Sequence, residues 1–105
     1  MNENSVFTIM TCSKLEIGSY GWPDFGYTRT VGYYHELKNA IDAVKKNMCD
    51  IWETVYNYVI IEEVSPGLYP HNMKRWFFKY DIDKDNYVEI EEPEFMKNVY
   101  NITIG

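Results

Sequence analysis

The residues best equipped for chemistry lie between Asp81 and Glu92. Asp81, Asp83, Asp85, Glu89 and Glu92 occupy the first, third, fifth, ninth and twelfth places of a calcium loop of the EF-hand type, and Val88 stands at its apolar eighth place. Asn86 takes the place where the sharp turn prefers glycine, and asparagine tolerates the left-handed backbone such a turn needs. Pro93 directly follows the carboxylate that would bind in bidentate fashion. The flanks also read as a β-hairpin: Lys74 to Tyr80 and Tyr87 to Glu91 are aromatic and β-branched runs joined by a polar Asp/Asn turn. A solvated hairpin turn is the preferred reading, and no metal or other cofactor is expected.

A second set of residues suits binding rather than catalysis. Tyr20, Trp22, Phe25 and Tyr27 are interleaved with Gly18, Gly21, Pro23 and Gly26, so large aromatic side chains sit where the glycines and proline break regular structure. Arg29 follows, and its planar guanidinium suits a phosphate or carboxylate. Asp50 and Glu53 have capping-box spacing at the start of a second helix and, with Tyr56, form a polar cluster near a helix end. Tyr20, Trp22, Tyr27, Arg29, Tyr34, Asp50, Glu53 and Tyr56 are therefore the expected ligand contacts. Cys49 with His35 or His71 lies in no nucleophile signature, and the chain carries no glycine-rich phosphate loop, serine elbow or His pair at metal spacing. A non-enzymatic protein is expected.

The elements that position these residues follow from periodicity. Leu37, Ala40, Ile41 and Val44 recur at one face of a 3.6-residue period, which predicts an amphipathic helix from Glu36 to about Lys46, closed by Asn47. Val6 to Cys12 alternates as a first strand. Thr28 to Tyr34 resumes as its antiparallel partner across the long Ser13 to Gly26 loop, with Gly32 marking a bulge. Tyr56 to Val64 reads as a buried strand stopped by Ser65, Pro66 and Gly67. A short helical turn is expected near Phe95 to Tyr100. The order β-β-α-β-β-β predicts an α+β fold, a single domain spanning 1–105, with a mainly antiparallel sheet and the helix packed across one face. Trp76, Phe78 and Tyr80, with Tyr56 and Tyr58 nearby, are expected on the other, partly open face, as an aromatic wall or as a second small core closed by the Trp22 loop.

Composition narrows the function classes. A chain of 105 residues with 46% hydrophobic content supports one core, burying about 65% of the unfolded surface. The net charge of −6 argues against a phosphate-backbone partner. Cys12 and Cys49, with no basic and apolar leader before them, point to free thiols in the cytoplasm. No apolar run approaches a membrane span. Aromatic residues make up 17% of the chain and include 10 tyrosines, more than a small core needs, which suggests a surface that stacks or hydrogen-bonds a partner.

Arg29 to Tyr34, Ala40 to Asn47, Asp50 to Glu53, Tyr58 to Glu63, Gly67 to Pro70, Trp76 to Tyr80 and the closing Asn101 to Gly105 together resemble a family of small uncharacterised proteins from anaerobic bacteria and their phages. The resemblance carries no assigned chemistry. By analogy of class, it implies a binding protein, for instance a phage counter-defence protein that sequesters a nucleotide-derived signal in an aromatic pocket. An inhibitor that binds a host defence protein, and a calcium-dependent module, are the alternatives. The expected partners are a small-molecule ligand or a protein; self-association is left open.

Overall fold

The computed structural model describes residues 5–46, 57–66 and 74–97. Five antiparallel strands form the main sheet in the order β4-β1-β5-β6-β7, with β1 at Val6–Cys12, β4 at Thr28–Tyr34, β5 at Tyr58–Val64, β6 at Arg75–Asp81 and β7 at Asn86–Ile90. Two further short strands, β2 at Glu16–Ile17 and β3 at Pro23–Asp24, pair with each other inside the loop between β1 and β4. The helix α1 spans Leu37–Lys45, between β4 and β5 in the chain. The architecture is α+β, with the sheet dominant.

The helix forms where the apolar stripe predicts it. Ala40, Ala43 and Val44 are buried, and Leu37 and Ile41 pack on the core from its margin. The chain enters through an extended Glu36 with no side-chain cap, and Lys45 places a cation in the last turn, where the helix dipole favours it. Asn47, the capping pattern at Asp50 and Glu53, Tyr56 and the glycine of the 65–67 turn lie outside the described residues.

The central strands β1 and β5 are buried on both faces, because each face carries its own core. On the helix side, Phe7, Ile9, Val59, Ile61, Phe78 and Tyr87 meet Ala40, Ala43 and Val44. On the other side, Met10, Cys12, Ile60 and Phe77 are closed over by Met96, with Leu15, Phe25, Ile90 and Phe95 around them. Met96 and Phe95 come from a 3-10 turn at Glu94–Met96, the part of the expected helical turn that falls within the described residues.

The aromatic wall expected away from the helix is corrected by strand register. Ile61 pairs with Trp76 and Val59 with Phe78, and Trp76, Phe78 and Tyr80 all belong to the helix-side core. Alternation along β6 shows that Trp76, Phe78 and Tyr80 share one face and Phe77 the other. Only the pairing with β5 shows which face carries the helix. Tyr58 does lie on the opposite side, packed against the second core. Gly32 marks the predicted bulge: Ile9 pairs with Gly32 and Met10 with Thr30, leaving Val31 as the extra residue.

Candidate functional site

Beyond Cys12 the β1–β4 pairing continues outward as a narrow arm, residues 13–27. The Ser13 amide donates to the Tyr27 carbonyl at 3.0 Å and the Lys14 amide to that of Phe25 at 3.0 Å; Glu16 then pairs with Asp24 and Ile17 with Pro23. At the tip the Gly18 amide donates to the Trp22 carbonyl at 2.7 Å, and the Gly21 amide to the Gly18 carbonyl at 3.1 Å. Gly21 is left-handed, with φ +79°, as a three-residue hairpin loop requires of its last member. The loop read from sequence as irregular is thus a hairpin with a defined tip.

Two features fix its base. Leu15 and Phe25 turn inward onto the second core, so the arm is tied to the sheet by buried apolar area. Ser13 binds the returning strand a second time, since its Oγ accepts the Tyr27 amide at 2.9 Å while its carbonyl accepts from Asn57 Nδ2 at 3.4 Å. Gly26, with φ +64°, lies directly against that hydroxyl and has no room for a Cβ. The Asp24 carboxylate accepts the Gly26 amide at 2.9 Å and closes the bend.

This scaffold holds its largest side chains in solvent. Tyr20 is 91% exposed, Tyr27 81%, Trp22 75% and Ile17 57%. Several exposed aromatics of this size on one structured element are characteristic of a surface that meets a partner. Arg29 is exposed on β4 opposite Thr11, whose hydroxyl donates to the Arg29 carbonyl at 3.2 Å. Tyr34 differs: it pairs with Phe7 and is half-buried against the helix-side core. Asp50, Glu53 and Tyr56 lie outside the described residues. Of the eight expected contacts, Tyr20, Trp22 and Tyr27 sit on the arm and Arg29 just past its base.

The Asp81–Glu92 segment is a hairpin. Asp81 ends β6, Asn86 begins β7, and the two pair directly. The Asp81 carboxylate accepts the Asp83 amide at 2.9 Å, so it is occupied in shaping the turn. The left-handed residue is Asp85, at φ 50°, and not Asn86. The hydroxyl of Tyr80 donates to the Asp85 carboxylate, which raises the Tyr80 pKa chiefly through that hydrogen bond. Glu92 is engaged elsewhere, with Arg75. Among the described residues no three His, Cys, Asp or Glu side chains gather as metal ligands would. Strands flank the turn on both sides, as the preferred hairpin reading expects, where an EF-hand loop has helices.

A charged group within the sheet was not anticipated. Glu62 is fully buried on the second face, with Arg75 Nη1 at 3.9 Å; Arg75 Nη2 reaches Glu92 Oε1 at 2.8 Å and the Met96 carbonyl at 2.7 Å. The only sequence signal was a carboxylate inside an apolar strand, which must find a cation if buried. Arg75 also lines a shallow groove of about 530 Å³ with Trp76, Phe77 and residues 89–92, and a smaller cleft of about 120 Å³ lies between Phe7, Leu37, Glu63, Lys74 and Trp76. Neither is lined by the arm's aromatic residues.

No protein-family model, curated protein or solved structure matches the chain, so function is read from its own geometry. Among the described residues no helix is long and apolar enough to cross a membrane.

Proposed function

We propose that the protein is a non-enzymatic binding module that recognises a partner protein through the aromatic arm. One observation carries this: Tyr20 and Trp22 project into solvent from a hairpin whose base is buried and hydrogen-bonded. Tyr and Trp supply large contact area at small entropic cost, and the interspersed Ser19, Gly18 and Gly21 let the backbone turn tightly beneath them, a composition also favoured in binding loops. A pre-ordered tip loses little freedom on docking, so more of its contact energy appears as affinity. The same residues serve the alternative of an inhibitor aimed at a host defence protein, and that is the form of the proposal the resemblance to phage proteins favours.

Sequestration of a nucleotide-derived signal asks for aromatic rings converging on a hollow. Tyr20 and Trp22 instead stand at the projecting end of a hairpin, which favours a protein surface as their counterpart. A photo-crosslinking residue placed at Tyr20 should capture one discrete protein in producing cells, and the same residue at Lys38, exposed on α1, should not. Trp22→Ala should abolish that adduct while leaving the melting temperature unchanged. Capture that is equal at both positions, or indifferent to Trp22, would remove the arm from the interaction.

A further inference from the structure

The smaller cleft lies where the beginning of β1, the end of β5 and the entry to β6 meet the start of α1. Phe7 pairs with Glu63 across β1 and β5, and the Glu63 amide donates to the Lys74 carbonyl at 2.8 Å, so the three residues form one row across the sheet. Side chains alternate along a strand, so Glu63 shares the face of Ile61, and Lys74 that of Trp76, on the helix side. Phe7 and Trp76 meet edge to face with ring centroids 5.9 Å apart, and Leu37, the first residue of α1, completes the lining.

This lining joins an apolar surface to one charge of each sign. Phe7 is buried, Leu37 and Trp76 are half-buried, and the Glu63 carboxylate and Lys74 ammonium belong to the same cleft. The two are neighbours across the β5–β6 ladder, yet neither makes an ion pair among the described residues. A contact between two such accessible side chains is weak, so a ligand that enters between them displaces little. A ligand of single charge would engage one of them and leave the other to water. A zwitterion engages both, its ammonium donating to Glu63 and its carboxylate accepting from Lys74 Nζ. The cleft's volume of about 120 Å³ is the space of about four water molecules at ~30 Å³ each. That suits one branched aliphatic side chain and is too small for a nucleoside or a peptide segment.

We propose that this cleft binds a free aliphatic α-amino acid of leucine's size, with its ammonium on Glu63, its carboxylate on Lys74 and its side chain on Phe7, Leu37 and Trp76. The site shares no residue with the arm, so it stands or falls separately from recognition of a partner protein. The ligand joins three strands to the helix, and binding therefore stabilises the fold by mass action.

The test titrates the whole chain, labelled for NMR, with L-leucine and with three probes that each lack one part of it: isoamylamine has no carboxylate, isocaproate has no ammonium and glycine has no side chain. L-Leucine should shift the Trp76 indole N–H and the Glu63 and Lys74 amides, and should bind about fivefold more tightly than either single-charge probe. Glycine should bind more weakly still, because it buries nothing on the aromatic rings. The variants should cross with the probes. Glu63→Gln lowers leucine affinity to that of isocaproate and leaves isocaproate itself unchanged, and Lys74→Met does the same with isoamylamine. Equal binding of leucine and the single-charge probes overturns the zwitterion assignment, and glycine binding as tightly as leucine overturns the role of the apolar lining. Shifts confined to the arm, or none at tens of millimolar leucine, overturn the site itself. The four ligands on the wild-type chain decide the matter even where a variant fails to fold.

Discussion

Arg75 reaches Glu92 at 2.8 Å across the edge of the sheet while its other terminal nitrogen stays 3.9 Å from the fully buried Glu62. One guanidinium thus serves two carboxylates and a main-chain carbonyl, and it joins β5, β6 and the 3-10 turn that lids the second core. Arg75 sets a cation beside the Glu62 carboxylate inside the sheet. Truncating it as Arg75→Ala removes that cation and should cost about 3–5 kcal/mol in a denaturant melt. Replacing both partners together, as Glu62→Leu with Arg75→Met, should be close to neutral or stabilising by the same reasoning. A loss below about 1 kcal/mol for Arg75→Ala would show that water reaches the group freely.

The arm depends on the contact between Gly26 and Ser13. Any side chain at Gly26 meets the Ser13 hydroxyl and must also adopt the left-handed backbone already present there, so Gly26→Ala should cost more than the roughly 1–2 kcal/mol of the backbone term alone. Ser13→Ala in the same chain should recover part of this by removing the obstructing oxygen, although it also removes the acceptor for the Tyr27 amide. Equal melting temperatures for the wild type and Gly26→Ala would contradict this geometry.

The boundaries of β1 and β4 were legible because alternation in Val6 to Cys12 and Thr28 to Tyr34 ends abruptly at serine, glycine and histidine. The helix was legible from four apolar residues on one face. The arm was not, since β2 and β3 have two residues each and a period cannot be read from two positions. Its aromatic residues divide by contact and not by type: Phe25 is core, whereas Tyr20, Trp22 and Tyr27 face solvent. For Trp76 and Phe78 the shared face was readable and its orientation was not, because each face of β6 carries a buried phenylalanine, Phe78 on one and Phe77 on the other, and a helix lies against only one. The Glu62–Arg75 pairing required the β5–β6 register, which no local pattern encodes.

This division within one loop has a direct consequence for stability. Tyr20→Ala and Trp22→Ala remove exposed rings and should change stability by no more than about 0.5 kcal/mol. Phe25→Ala removes a ring that packs on the second core and should cost about 2 kcal/mol or more. Thermal melts of the three variants provide the comparison. A large loss for Trp22→Ala, with a small one for Phe25→Ala, would invert the assignment of core and contact surface.

Calcium added to chelator-treated protein should leave the melting temperature unchanged, because the Asp81 carboxylate accepts backbone amides of its own turn and Glu92 accepts from Arg75. A site filled at a hundred times its dissociation constant would add about 2.7 kcal/mol, an effect too large to miss. Asp81→Ala should cost on the order of 1 kcal/mol with or without calcium, through loss of the turn's hydrogen bonds. A calcium-specific rise that Asp81→Ala abolishes would reinstate a metal site.

Alkaline pH should weaken the fold through two buried acids. Burial raises the Cys12 thiol from 9.0 to about 12. Tyr87 rises from 10.0 to about 12, first through burial and then through the neighbouring charges of Tyr80 and Cys12. Both groups are neutral when protonated, so the folded state keeps a proton that the unfolded chain has already released. Fewer protons on the unfolded chain mean that unfolding free energy falls as pH rises. The contribution of Cys12 is therefore complete below pH 9.0 and is lost progressively from there towards about 12, and that of Tyr87 is lost between 10.0 and about 12. Urea unfolding at successive pH values should show stability declining first in the range where only the thiol titrates. Cys12→Ala lowers stability at every pH by removing packed volume, but it should also flatten this first decline and delay it until the tyrosine range. The slope, and not the level, is the decisive reading: a wild type and a Cys12→Ala variant with parallel pH profiles would show that the thiol ionises as readily in the folded chain as in the unfolded one.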